Sequence, residues 1–545
     1  MIPMKRIVTV AFLLLTHAAA HAAVWQYSVK TDDKHGRAFM WIPPQCGHVR
    51  GIIIGQQVIL EAVMFEDPAI RAAAEKEGLA IVLATPAVIG DYDEKGGGAA
   101  KLQSILDGLA EVSGYAEISQ APLLTVGHSG GALFAWNTAY WNPDRCIGVI
   151  GLKAAPIHPP PYAKKAPGNF PAALNDVPVL VVTGQYESWG LPHQDAEYHW
   201  RWVRGSLLEF RAQGHNALMS ALIEPGVTHF GWSEELARHL AMFIQKAAGR
   251  RLPPEPQPAG APLALRQVAK ESGWLTDPVF PGLPRHAAAP WREFKGDPYL
   301  AFWHLDGEMA RANEAYGGTR KGKELQAVTF VDASGKPQPS CWLQSIEANP
   351  LDDGLHFRVA ADFVRETPPE LAVSEKRTLG HASGPIRFHL MGGWAGGGAQ
   401  TGPDTFRVKH DRFYFSRPWD SLMVMAWHPG DDRFAYAEQP CAIKLPDLKR
   451  NGMEQKVSFM APADVTSEVD AVPLQAVSDS GLPVSFTVIE GPVEVSGNML
   501  RLLAPPPRSK WPLRVTVAAW QAGRATEPRI RAAEPVMRSF LIHRP

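Results

Sequence analysis

Four cysteines in 545 residues are too few to staple a framework, and none stands in a CxxC or Cys/His spacing that would hold zinc. Charge imbalance is missing too. The chain has 54 Lys and Arg against 55 Asp and Glu, a formal net charge of −1. That excludes a broad basic footprint for nucleic acid or anionic membrane. No apolar run is long enough to span a bilayer, and no long internal repeat is visible. The glycine-rich stretch 392–398 (GGWAGGG) lacks dinucleotide spacing and opens no helix, so it reads as a loop. Nothing asks for a cofactor or a metal.

The N-terminus carries a targeting pattern. Lys5 and Arg6 precede an apolar run over 7–15, then small residues and an A-x-A site at Ala20-His21-Ala22. Residues 1–22 are therefore expected to be a signal peptide, cleaved after Ala22, giving a secreted or periplasmic protein without a lipid anchor. In an oxidising compartment the expected pairing is Cys341–Cys441, both in the β-rich middle region, with Cys46–Cys146 following. Free buried thiols are the equal alternative.

Length implies several compact units. From 23 to 250, short apolar runs alternate with helical patterns. Strands are expected at Gly51-Ile-Ile-Ile54, 79–83, 123–126, 148–152, 178–182 and 219–223. Asp67-Pro68 starts a helix and Gly78 stops it. Leu102, Ile105, Leu106 and Leu109 share one helical face, and a last helix covers about 233–248. The expected fold is α/β, a doubly wound and mostly parallel sheet. Residues 251–320 read as a proline-rich linker and a mixed segment with one helix over about 305–316. A β-rich unit over 321–446 follows. From 447 to 545, Val484, Phe486 and Val488, then Leu513, Val515 and Val517, alternate with a period of two, as in a β-sandwich.

One motif carries chemistry. Gly127-His128-Ser129-Gly130-Gly131 fits G-x-S-x-G between a strand and a helix, the setting that holds a nucleophilic serine in a sharp turn. A hydroxyl needs a base, and His229, just before the last helix, is the candidate. The base needs an orienting acid. Glu187, three residues after the glycine that ends strand 178–182, is the candidate, with Asp195 the runner-up. Oxyanion donors are expected at Gly130 and, in the loop after the early strand, at Gln56 or Gln57. Trp136, Trp189 and Trp232 stand near the motifs and could line a substrate pocket; core packing is the competing reading.

With these residues in place, 45–250 resembles the alpha/beta-hydrolase superfamily, whose nucleophile–acid–base order matches Ser129, Glu187, His229. It is most similar to secreted bacterial esterases of the feruloyl-esterase, acetylxylan-esterase and polyester-depolymerase type. It departs from them where Gly55-Gln56-Gln57 replaces a lipase-like HGGG loop. The last 90 or so residues resemble the immunoglobulin-like modules of secreted proteins. The resemblance implies a serine esterase that passes through an acyl-enzyme, with an ester-bearing polysaccharide or a small ester as substrate. Two alternatives stay open: a serine peptidase of the same fold, and an inactive protein that binds glycan or cell surface.

Overall fold

The computed structural model describes residues 24–31, 36–86, 97–154, 174–188, 198–212, 214–255, 264–278, 285–368, 378–391, 397–413 and 420–545, without the side chains of 198–201. The expected signal peptide, Trp189, Asp195 and most of the glycine-rich stretch 392–398 lie outside them.

The N-terminal unit is built on β1 (Tyr27–Lys30), β2 (Arg37–Trp41), β3 (Gly51–Gln56), β4 (Leu79–Thr85), β5 (Leu123–His128), β6 (Cys146–Leu152), β7 (Val179–Gly184) and β8 (Met219–Glu224). They form one sheet in the order β1-β2-β4-β3-β5-β6-β7-β8. The β4–β3–β5–β6–β7–β8 pairings are parallel, while β2 runs antiparallel to both of its neighbours. Every residue of β3 to β8 is buried, as a sheet covered on both faces requires. Alternation sends Ile53, Ile81 and Leu124 to one core and Ile52, Ile54 and Val82 to the other.

The helices are α1 (Glu61–Glu66), α2 (Pro68–Glu77), α3 (Gly98–Ser113), α4 (Ala132–Trp141), α5 (Tyr198–Ala212), α6 (Glu234–Arg251) and α7 (Gly307–Gly317). Asp67 accepts the Ala69 N–H at 2.8 Å and Pro68 fills the first turn, while Gly78 closes α2 at φ 66°. Ser233 caps α6 by accepting the Leu236 N–H at 3.0 Å. These signals lie within a few residues of what they control.

Residues 264–320, expected as a mixed segment with one helix over about 305–316, carry α7 there. β8 is the sheet's last strand, and this segment covers it. Ser220 Oγ donates to Trp303 O at 2.6 Å, Asn313 Nδ2 to Ala221 O at 3.2 Å, and Tyr316 OH to Glu224 Oε1 at 2.7 Å. Trp303, Leu305 and Met309 share a core with Leu222, Leu240 and Phe243.

Beyond it the chain is β-rich. One unit packs a sheet ordered Gln344–Glu347, Ala437–Lys444, Ser421–His428, Arg387–Leu390 against another containing His356–Arg358 and Thr405–Val408. Phe330, Phe357, Phe406 and Val424 fill the space between. The C-terminal sandwich closes around Phe459, Leu500, Val515 and Phe540. It seals the opposite sheet edge. Glu490 accepts from Ser28 Oγ at 2.5 Å and from Arg514 Nε at 2.7 Å, and Tyr27 OH pairs with Ser509 Oγ at 2.6 Å. An uncovered edge would invite pairing with another chain.

None of the four cysteines forms a disulfide, so the pairings Cys341–Cys441 and Cys46–Cys146 are absent. Cys46 and Cys146 belong to different cores of the sheet, and Cys441 is buried in the interior of the middle sandwich.

Candidate active site

Strand order sets where a ligand can sit. From β3 the chain crosses to β4 on one side; from β5 it crosses to β6 on the other. The crevice at the C-terminal ends of β3 and β5 is thus a topological switch point, where open α/β sheets bind ligands. Ser129 stands there, between β5 and α4.

Ser129 has φ 51°, in the left-handed region that side chains avoid, at a strain of order 1–3 kcal/mol. The flanking glycines make the turn possible. A Cβ on Gly127 would lie 2.2 Å from Gly131 O, and one on Gly131 would lie 2.5 Å from Glu61 Oε1. Gly130, the second variable position of the motif, faces open space. Ser129 is half-buried and Gly130 exposed.

His229 follows β8 in the loop before α6. Its Nδ1 is 3.2 Å from Glu187 Oε1. The other Glu187 oxygen accepts from Gly184 N at 3.0 Å and from Thr183 Oγ1. Glu187 is fully buried, so these donors stand in for water. His128 ties the base to the elbow: its Nε2 lies 3.0 Å from His229 O, and the two rings are 4.9 Å apart. Burial pushes the His128 imidazole well below its ordinary range, so it is neutral and donates from Nε2. His229 Nε2 is buried and has no hydrogen-bond partner among the described residues.

The oxyanion candidates separate. Gln57 N–H already donates to Ala84 O at 2.7 Å, and its side chain accepts from Ala62 N and donates to Ile59 O. Gln57 therefore shapes the loop and offers no backbone donor, a correction to its expected role. Gln56, the last residue of β3, is buried beside Gly131. Val58 and Ile59 N–H both donate to Glu61 Oε2, at 2.9 and 3.0 Å. Glu61 Oε1 accepts the His128 N–H at 2.7 Å. One buried carboxylate thus joins the loop after β3 to the serine turn.

A doubly wound sheet with a strained serine after its fifth strand decides the architecture. The N-terminal unit has an alpha/beta-hydrolase fold. Solved structures of that fold are similar to it. A poly(3-hydroxybutyrate) depolymerase from Bordetella parapertussis shares 15% identity, covering 42% of this chain and 92% of its own, with a TM-score of 0.29. An S-formylglutathione hydrolase from Agrobacterium tumefaciens shares 15%, over 41% and 94%, at 0.29. A carboxyl esterase from Bacillus coagulans shares 10%, over 42% and 99%, at 0.28. No family profile matches the chain, and no curated protein sequence matches it.

The tryptophans divide as well. Trp136 is wholly buried, packed on Gly151 and stacked with Tyr140. It lines a small cavity with Val179 and Met219, at the strand ends opposite Ser129, so its assignment to a substrate pocket is corrected. Helix α4 runs away from the serine and carries Trp136 with it. Trp232 is half-buried in an apolar cluster with Phe230 and Trp342. Trp189 and Asp195 fall outside the described residues.

Three features had escaped the sequence reading. Glu61 was findable, as the one acid inside the apolar run Val58–Phe65. Lys153, fully buried at the end of β6, pairs with Glu224, which also takes the Tyr316 hydroxyl. Glu438 and Trp342 reach the His229 loop from the middle β-unit, and no local pattern announces them. Among the described residues, no cluster of His, Cys, Asp and Glu is placed to hold a metal ion, and no helix is long and apolar enough to cross a membrane.

Proposed function

We infer that this hydrolase fold serves a serine hydrolase acting on carboxylic esters. One observation carries the reading. An imidazole hydrogen-bonded through Nδ1 to a buried carboxylate is tied by its backbone carbonyl to His128, the residue before a serine held in a strained turn.

The roles follow from chemistry. Glu187 fixes the tautomer with the proton on Nδ1, leaving Nε2 as the acceptor. Ser129 Oγ attacks the ester carbonyl while His229 Nε2 takes its proton, and Glu187 stabilises the imidazolium. The Gly130 N–H, exposed at the head of α4, meets the oxyanion. The alkoxide leaves with the proton from His229, and a water then repeats the sequence on the acyl-enzyme.

The rings of Phe230 and Trp342, 4.8 and 5.1 Å from that of His229, support a short or aromatic acyl group over a long alkyl chain. The polysaccharide part of the reading rests on the export pattern of residues 1–22 and is argued by analogy with secreted esterases.

A fluorophosphonate probe should label Ser129, and p-nitrophenyl ester hydrolysis should fall from acetate to palmitate. Ser129→Ala and His229→Ala should each leave less than about a thousandth of the turnover, with the double variant scarcely worse. Retention of a tenth of the turnover by Ser129→Ala would sink the assignment.

A further inference from the structure

The middle β-unit lies against the loop that carries His229. In its four-stranded sheet, Met425 faces His389 and Pro440 across the strands, Trp427 faces Arg387 and Glu438, and Met423 faces Ala442. Cross-strand partners share a face, so these residues form one surface. The opposite face, with Leu422, Val424 and Cys441, fills the unit's own core. The outer face, with Trp342, Met391, Met423 and Met425, packs on Ile59, Leu60 and Phe230 of the hydrolase unit.

Glu438 fixes the contact. Buried on that face, it accepts from Thr228 N, Thr228 Oγ1 and Tyr436 OH, each at 2.7 Å. Two glycines bracket His229 and admit the sheet. A Cβ on Gly226 would lie 2.2 Å from Tyr436 O, and one on Gly231 would lie 2.6 Å from Glu438 Oε1. Trp342 therefore meets the imidazole in a fixed place. Its ring is 5.1 Å from that of His229, inclined by 38°, and 4.7 Å from Phe230.

Among the described residues, two buried polar atoms in this contact lack partners: Trp342 Nε1 and His229 Nε2. Native structures seldom leave buried polar groups unpaired, and two of them beside a candidate catalytic base call for a functional explanation. An indole N–H only donates. The occupant must offer it an acceptor and, next to it, receive a proton from His229.

We propose that Trp342, from the middle β-unit, is a substrate-contacting residue whose Nε1–H donates to the alkoxy oxygen of the ester's leaving alcohol. This rests on the serine-hydrolase reading above. The same oxygen takes the proton from His229 as the acyl–oxygen bond breaks, so negative charge develops where the indole can stabilise it. Catalysis then needs both units, and the help matters most for poor leaving groups.

The test uses the full chain and two substrates, p-nitrophenyl acetate and a simple alkyl acetate. Trp342→Phe keeps the ring and removes the donor. The alkyl ester should lose about tenfold or more in kcat/KM. The aryl ester, whose phenolate leaves unaided, should be nearly unchanged, and so should fluorophosphonate labelling at Ser129. Trp342→Tyr, which restores a donor, should recover part of the alkyl-ester rate. It also carries the test should the phenylalanine variant fail to fold. Equal rates for both esters in Trp342→Phe and wild type would reduce Trp342 to packing and overturn the proposal. Equal losses on both would overturn it as well, assigning Trp342 to positioning His229. Persistent hydrolysis in Ser129→Ala would fault the underlying reading instead, and is read in a separate variant.

Discussion

A carboxyl group shut away from water holds its proton longer, and Glu61 is fully buried beneath the serine turn. Burial raises its pKa from 4.5 to about 7, against the pull of the N–H donors of His128, Val58 and Ile59. A folded-state pKa above the unfolded one means that the folded protein binds the extra proton. Glu61 therefore contributes stability below pH 4.5 that is lost as pH rises through about 7. Glu61→Gln cannot ionise. Between those pH values the wild type should lose about 3 kcal/mol relative to the variant. Thermal melting of both proteins from pH 4 to 8 reads this directly, and parallel curves would refute it. The amide also presents an NH2 among three N–H donors. Ester hydrolysis should fall roughly tenfold with KM little moved, because the loop after β3 and the serine turn lose their common acceptor.

Elements that meet at short range make the sharpest demands on sequence. Gly184 ends β7 against the His229 loop, and a Cβ there would lie 2.4 Å from Val227 O and 2.7 Å from Thr228 O. Both neighbours are backbone, so the loop itself must move. Gly184→Ala should cost about 1–3 kcal/mol of stability and pull His229 off Glu187, lowering turnover. Gly249→Ala in α6 meets nothing within 4 Å and should leave activity intact. Measuring the melting point and kcat of both variants decides it; an indifferent Gly184→Ala would mean that the loop yields freely. The same distinction governs what could be read beforehand. The caps of α2, the strand alternation and the serine turn are local, and a linear reading catches them. Trp136 misled that reading because seven residues from Ser129 is near in sequence, yet α4 climbs about 1.5 Å per residue away from the crevice. Gln57 lies in the expected loop, but its N–H is already held by Ala84. The contact of Glu438 with Thr228 spans 210 positions, and no periodicity reports a partner so distant.

At the scale of the whole molecule, the burial that closes the sheet edges also traps titratable rings. His239 and His304 lie in the hydrolase unit and its 264–320 extension, while His389 and His410 lie in the middle unit. Burial lowers each from 6.5, to about 4 for His239, His389 and His410 and to about 3 for His304. A histidine kept neutral by the fold contributes stability that is present above its unfolded pKa and lost as pH falls towards its folded one. Glu61 and Asp411, the latter raised to about 6, work the other way over the same range. The histidines outnumber them. At about 3 kcal/mol for each such shift, the net loss approaches the roughly 5–15 kcal/mol that holds a folded protein together. Stability should therefore be greatest near neutral pH, decline steadily below pH 6.5, and fail near pH 4. Tryptophan fluorescence and sedimentation followed from pH 8 to 4 would show this; an unchanged melting point at pH 4.5 would rule it out. His304 supplies the internal control. Its ring sits between Ser220 Oγ at 3.2 Å and Thr276 Oγ1 at 2.8 Å. His304→Asn keeps polar atoms for both hydroxyls but cannot take up a proton, so its acid midpoint should lie below that of the wild type. If the midpoint stays put, acid unfolding begins elsewhere, and His304 does not drive it.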